Sequence, residues 1–343
     1  FVSDLELDLE RRDFTINAMA YSPEAGVIDI FGGLDDIKNK VIKCVENPYE
    51  RFNEDGLRIM RAVRFSAQLG FEIESCTKKA MNELVNNLDN VSNERINSEL
   101  SKIMGSNYAY LIMVYKDILC KIIPEFKECI DYNQNNPYHI YTLYKHIGVA
   151  LIEAINPDLI VNLSILFHDI GKPHCCTVGE DGYSHFKGHG RASTDITESI
   201  MKRLKFDNDT INKVKELVFY HDATFDAERK HVKRWLNKLG EDQFRRLLKI
   251  RLADIKAQNH KYESQRVQKI SGIQMMLDDV LQEKECFTLK ELAINGKDLI
   301  EHGIPQGKLI GEILNTLLIM VIDGEADNEK EKLLQIVNLL FKT

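Results

Sequence analysis

The stretch from Asn162 to Pro173 constrains this chain more than any other. Leu159, Ile160, Leu163, Leu166, Phe167 and Ile170 recur at helical spacing and predict a buried helix. His168 and Asp169 sit inside that apolar run, and Gly171 and Pro173 stop the helix just after them. An ionisable pair at the end of a buried helix carries a desolvation cost unless a partner satisfies it. A metal ion would do so directly, because neutral imidazole and carboxylate are both good ligands. Other ionisable residues fall on buried faces elsewhere. His146 shares a stripe with Leu143, Ile147, Ala150 and Leu151, and Asp254 shares one with Leu247 and Ile250. His189 falls in the glycine-rich turn Lys187–Gly190, and His221 ends the run Leu217–Tyr220. Taken singly, a buried His or Asp is more often a hydrogen-bonded core residue than a ligand.

Taken together, the order His, His-Asp, His, His, Asp over residues 146 to 254 resembles the HD phosphohydrolase superfamily. The resemblance implies that His146, His168, Asp169 and Asp254 hold one divalent transition metal. It implies that His189 and His221 hold a second, with Asp169 as the bridge. Two such metals activate a water and clamp a phosphate, which is the chemistry of phosphoester hydrolysis. Asp169 and Lys172 are the candidate catalytic residues. Lys172, or Arg191, would meet a substrate phosphate as a charge. The alternative for Lys172 is a solvated lysine at a helix C-terminus, where the dipole favours it.

Nearer the start, Arg11 and Arg12 stand between Glu10 and Asp13. Two guanidiniums can hold a triphosphate in a forked grip, or form a surface ion-pair cluster of little energetic weight. The segments Asp8–Ala20, Asp29–Asp36 and Arg51–Phe65 resemble successive motifs of the class II tRNA nucleotidyltransferase and bacterial poly(A) polymerase family. Motif matches in family order continue to the tail, where Ile304–Gly311 resembles the part that grips the tRNA elbow. The resemblance implies addition of C and A to tRNA 3′ ends from CTP and ATP, with Mg²⁺ as cofactor. It assigns Arg12, Asp55, Arg58, Arg61 and Arg64 to the incoming nucleotide.

That assignment has a physical basis at two of the positions. Asp55 and Arg58 are three apart, so on a helix they would project from one face. A carboxylate accepts a hydrogen bond and a guanidinium only donates. Cytosine and adenine both offer an amine donor beside a ring-nitrogen acceptor, whereas uracil and guanine put a carbonyl where the amine would be. The pair therefore matches C and A and rejects U and G. Glu54 and Arg58, four apart, read as an ordinary helix ion pair.

One departure from the family pattern concerns the polymerase metals, which the family holds on two carboxylates of an early strand after a glycine-rich segment. Residues 1–32 contain neither. Asp4, Glu6 and Asp8 alternate as strand residues do and read as a lead-in to the second motif. The expectation is that the first part of the head is missing before Phe1, and that residues 1–343 alone transfer no nucleotide.

The expected architecture is mainly α. Residues 1–33 are the C-terminal part of a nucleotidyltransferase head, a small α/β remnant in which Val27–Phe31 is a strand closed by Gly32 and Gly33. Residues 34–132 are a helical neck for base recognition and RNA binding, with Lys38, Lys40, Lys43 and Arg51 as a basic flank. The polar joint Asn133–Pro137 separates the neck from an HD-type helical domain over 138–265. Residues 266–343 are a helical, tRNA-binding tail broken around Gly303–Gly307. The net charge of −8 leaves no general basic excess, so nucleic acid must be met by local patches. Seven scattered cysteines fit a reducing cytosol, and no apolar run approaches membrane-spanning length. Two other readings stay open. One is a stand-alone HD phosphohydrolase acting on small nucleotides. The other is a poly(A) polymerase or A-adding enzyme whose HD region is an RNA-binding scaffold.

Overall fold

Helices follow the apolar spacing along most of the chain, and strands among the described residues are confined to three two-stranded pairings. The computed structural model describes residues 4–154 and 157–341; Phe1 lies outside them. The fold is mainly α, with its small α/β part at the N-terminus. No helix among the described residues is long and apolar enough to cross a membrane.

The chain forms two compact units. One runs to Asp222 and adds Lys249–Glu263; the other takes Ala223–Leu248 and the chain from Ser264 onward. Asn133–Pro137 lies within the first unit and is tied into it. The Asn135 carbonyl accepts from the Ser184 N–H at 2.9 Å, and Asn136 donates to the Ser184 carbonyl at 3.1 Å. Polar composition marks a turn there, but its amides spend their hydrogen bonds on a neighbouring hairpin.

In the first unit, Leu5–Glu10 is a helix capped by the Asp4 carboxylate, not the strand that the alternation of Asp4, Glu6 and Asp8 suggested. Leu5, Leu7 and Leu9 would give a strand one apolar face, but only Leu9 of the three is buried, and the Asp4 carboxylate stabilises a helix start. The hairpin Met19–Ser22 with Gly26–Asp29 follows, in register Met19 to Asp29. The strand ends at Asp29 because its carboxylate caps the next helix, accepting from Gly33 and Leu34 N–H at 2.8 Å each. Helices Leu57–Leu69 and Asn93–Met104 then pack together through Met60, Val63, Ala67, Ile96, Leu100 and Ile103, all buried.

Leu159–Phe167 is the axis of the unit's second half. Every residue from Ile160 to Phe167 is buried, and the helix packs on Leu143–Glu153, His189–Arg203 and Asn208–Tyr220. A helix apolar all round must be enclosed by other elements. Its polar members are satisfied internally: Ser164 donates to the Ile160 carbonyl and Asn162 to that of Met104, both at 2.7 Å.

The second unit has its own core, in which Leu299, Ile313, Leu317, Leu333 and Val337 are fully buried. Its helices include Glu263–Gln282, Gly296–Glu301, Lys308–Asp323 and Lys330–Phe341. The break expected near Gly303–Gly307 lies between the second and third of these, with both glycines at positive φ. The helical run Arg229–Lys256, interrupted at Gly240, carries the chain back into the first unit.

Candidate nucleotide pocket and histidine–aspartate centre

Arg12, Asp55, Arg58 and Arg61 converge on one cavity of about 600 Å³, joined by Asp13, Asn17, Phe65 and Arg95. Four guanidiniums thus face two carboxylates, an electrostatic balance that suits a polyphosphate. Asp55 and Arg58 do not share a helix face. Asp55 is extended at the end of helix Pro48–Glu54, and its Oδ1 accepts from the Leu57 N–H at 3.1 Å, capping the helix that carries Arg58. Its Oδ2 pairs with Arg95 at 2.7 Å. Burial alone would raise the Asp55 carboxyl, but Arg95, the Leu57 N–H and Arg58 together hold it below its ordinary value. Arg58 pairs with Glu54 at 2.6 Å, across the break between two helices rather than within one, and donates to the Arg11 carbonyl at 2.7 Å. Arg61 is paired with Asp13 at 2.5 Å, and Arg12 reaches Asp8 at 3.2 Å.

Arg64 does not line this cavity. It is mostly buried, pairs with Glu99 at 3.0 Å and lies 4.1 Å from the centre of the Phe65 ring. Three-residue spacing turns successive side chains by 300°, so over two steps the Arg58 row drifts off the pocket. Arg95 was missed because its helix lies 40 residues further on, and only the fold brings it to Asp55.

The second site is built on the end of helix Leu159–Phe167. His168 is its C-cap and Asp169 follows at once. His146 comes from helix Leu143–Glu153, and His221 caps the C-terminus of Asn208–Tyr220. His189 is the first residue of helix His189–Arg203 rather than part of a turn, since Gly188 at φ 85° makes the entry. Asp254 enters on the segment Lys249–Lys256. All six residues are buried.

Each imidazole donates Nδ1–H to a backbone carbonyl: His146 to Ala257, His168 to Ile165, His189 to Phe186 and His221 to Val218, at 2.7 to 3.1 Å. A carbonyl only accepts, so the proton is fixed on Nδ1 and all four Nε2 atoms turn inward. They meet in pairs, His146 with His168 at 3.2 Å and His189 with His221 at 3.1 Å. Asp169 divides between the pairs. Oδ2 lies 3.4 and 3.1 Å from His146 and His168, and Oδ1 lies 3.3 and 3.4 Å from His189 and His221. Asp254 Oδ1 lies 3.2 Å from His146 and accepts from Gln258 at 2.8 Å.

Two facing lone pairs at hydrogen-bond distance repel unless a cation lies between them. Both Asp169 oxygens are buried without a well-directed hydrogen bond, although Lys172 Nζ stands 2.6 Å from Oδ2. The donor set thus fits two divalent ions, one for His146, His168 and Asp169 and one for Asp169, His189 and His221. The same excess of acceptors shifts the protonation equilibria. Burial pushes the His146 imidazole down, yet Asp169 and Asp254 together raise it to about 9. Burial pushes Asp169 up, and His168, Lys172 and His146 hold it well below the carboxylate range.

The chain is similar to known proteins along most of its length. Residues 1–43 match the family model described as the poly A polymerase head domain. Residues 70–130 match the "Probable RNA and SrmB- binding site of polymerase A", and 191–337 match tRNA nucleotidyltransferase domain 2. The CCA-adding enzyme of Pediococcus pentosaceus is 33% identical across the whole chain, which covers 74% of that protein. The chain belongs to the CCA-adding enzyme family. The CCA-adding enzyme of Limosilactobacillus reuteri is 30% identical over the same share of both chains. Two solved family members share the fold. The Bacillus stearothermophilus enzyme in complex with CTP is 24% identical with a TM-score of 0.63, and the match covers 98% of this chain and 74% of that one. The Thermotoga maritima enzyme complexed with tRNA-CCA is 21% identical with a TM-score of 0.57 over the same shares.

Lys172 in this CCA-adding enzyme relative is neither solvated nor turned outward. Only 4% exposed, it also donates to Gln134 Oε1 at 2.9 Å and lies 3.4 Å from His139 Nε2. His139, half-buried beside His146, is the neighbour that the sequence did not signal. Arg191 is exposed and pairs with Asp195 at 3.5 Å. Gly171 fixes the approach of the His189 helix to Asp169. A Cβ there would stand 2.4 Å from the Ser193 backbone nitrogen and 2.9 Å from Ala192 Cβ. Gly171→Ala should therefore cost about 1–3 kcal/mol of stability and move His189 and Asp169 apart. Thermal denaturation and metal titration check this; a variant matching wild type in both would show that the turn gives way freely.

Proposed function

We propose that the arginine-lined cavity selects CTP and ATP for addition to tRNA 3′ ends, with Mg²⁺ as the transfer cofactor and residues 70–130 meeting RNA. The observation that carries this is the convergence of Arg12, Asp55, Arg58 and Arg61 from three segments onto one cavity. Relatives named as CCA-adding enzymes, some solved with CTP, ATP or tRNA, support it. Arginine forks hold the phosphates, and Asp55 and Arg58 face the base edge. Within this reading residues 1–33 serve as head, 34–132 as neck, 138–265 as hydrolytic domain and 266–343 as tRNA-binding tail. A reducing cytosolic setting belongs to it too, since all seven cysteines are unpaired. Binding measurements test the proposal. CTP and ATP should bind at least about tenfold tighter than UTP and GTP. Arg58→Ala should weaken both by roughly ten- to a hundredfold, as expected for losing charge-assisted hydrogen bonds. Equal binding of all four nucleotides would refute it.

A second activity is favoured by the inward-facing Nε2 pairs and the divided Asp169 carboxylate. We infer phosphoester hydrolysis there, on RNA 3′ ends or on nucleotides. His146, His168, Asp169 and Asp254 would hold one divalent transition metal, and Asp169, His189 and His221 the other. Metals so placed supply Lewis acidity toward water and phosphate. The backbone carbonyls orient the four rings, and Lys172, pinned by Gln134, positions the Asp169 carboxylate.

A further inference from the structure

We propose that a second cavity, sharing no residue with the arginine pocket, binds an unstacked nucleobase of single-stranded RNA with its phosphate on Lys78. The cavity measures about 460 Å³ and opens where helix Leu57–Leu69 ends; Tyr108, Tyr110, Tyr115, Lys78 and Glu72 are among its walls. Small-molecule sites span roughly 300–1,000 Å³. Tyr108 is 40% exposed and set edge-on to Tyr110, with ring centres 6.4 Å apart at 71°. Gly70, at φ +69°, lets the Tyr108 ring press on bare backbone, for a Cβ would come within 2.8 Å of it. Tyr115 is buried, and Lys78 Nζ lies 5.6 Å from its ring centre.

Rigid phenol rings stack bases of any sequence, because every base has a π face. Glu72 can accept from an exocyclic amine, and Lys78 can meet one phosphate. A single cation suits one backbone phosphate of a strand, whereas the triphosphate of a free nucleotide is matched by the four arginines of the other cavity. All lining residues except Ser66 fall within residues 70–130. The inference rests on the reading of that stretch as RNA-binding.

Anisotropy of a fluorescein-labelled RNA hairpin with a single-stranded 3′ end, titrated with the full chain, tests it. Tyr108→Ala should weaken binding roughly five- to a hundredfold, and Tyr108→Phe should stay within about twofold. Lys78→Ala should flatten the dependence of log affinity on log salt by about 0.7. CTP binding should be unchanged in all three. RNA affinity unaltered in Tyr108→Ala, or a salt slope unaltered in Lys78→Ala, would overturn the proposal. So would AMP displacing the hairpin as tightly as unlabelled RNA does, which would make this a free-nucleotide site. A wild-type chain that binds no RNA would instead defeat the RNA-binding reading beneath it, a separate outcome read from the same titration.

Discussion

Asp169→Ala should strip the protein of bound transition metal and abolish hydrolysis of both a cyclic nucleotide and a simple phosphate ester. Asp169 is the only residue shared by the two candidate ligand groups, with one oxygen facing each histidine pair. Removing groups that merely support a ligand costs ten- to a hundredfold in metal affinity or activity, so losing the bridge should cost at least about a hundredfold. Asp254→Ala should be milder, because Asp254 approaches only the His146–His168 pair. Elemental analysis of purified protein and activity with and without chelator give the readout. If wild type carries no metal, gains no activity when supplied with it, and Asp169→Ala folds equally well, the cluster is a hydrogen-bonded scaffold and the hydrolase reading fails.

Asp55→Ala should erase most of the preference for CTP and ATP over UTP and GTP in equilibrium binding while leaving triphosphate binding itself largely intact. Among the described residues, Asp55 and Asp13 are the two carboxylates that line the arginine cavity, and Asp13 is already held by Arg61. Loss of the acceptor that meets an exocyclic amine removes about 1–3 kcal/mol of discrimination, or roughly ten- to a hundredfold. Because Arg95 pairs with Asp55, the same change frees a guanidinium toward the base, and carbonyl-bearing uracil and guanine gain a donor. Unchanged selectivity with a drop in stability would mean that Asp55 only caps helix Leu57–Leu69 and holds Arg95.

How much of this was legible in the sequence depends on the range of the interaction involved. The buried helix at Leu159–Phe167 and the stripes carrying His146 and Asp254 follow from local spacing, although the helix closes at His168, before Gly171. Periodicity and capping are set within a few residues, so one chain suffices to read them. The mainly α architecture was legible for the same reason. Asp4, Glu6 and Asp8 mark the limit of local reading: they alternate with leucines as strand residues do, yet Asp4 caps a helix.

Only the tertiary structure decided how distant segments meet. Nothing near Asp55 in sequence announces Arg95, and nothing in the spacing of Arg58, Arg61 and Arg64 says that the last turns away to Glu99. The sequence left Lys172 either facing a substrate phosphate or solvated at a helix end; Gln134, His139 and Phe186 surround it. The segment Ala223–Leu248 packs with the tail although it interrupts the residues that build the histidine centre. Residue types and their order determined which groups are available for chemistry. Which of them share a cavity, and which oxygen of Asp169 faces which histidine pair, depended on helix packing across more than a hundred residues, a free energy that no local window contains.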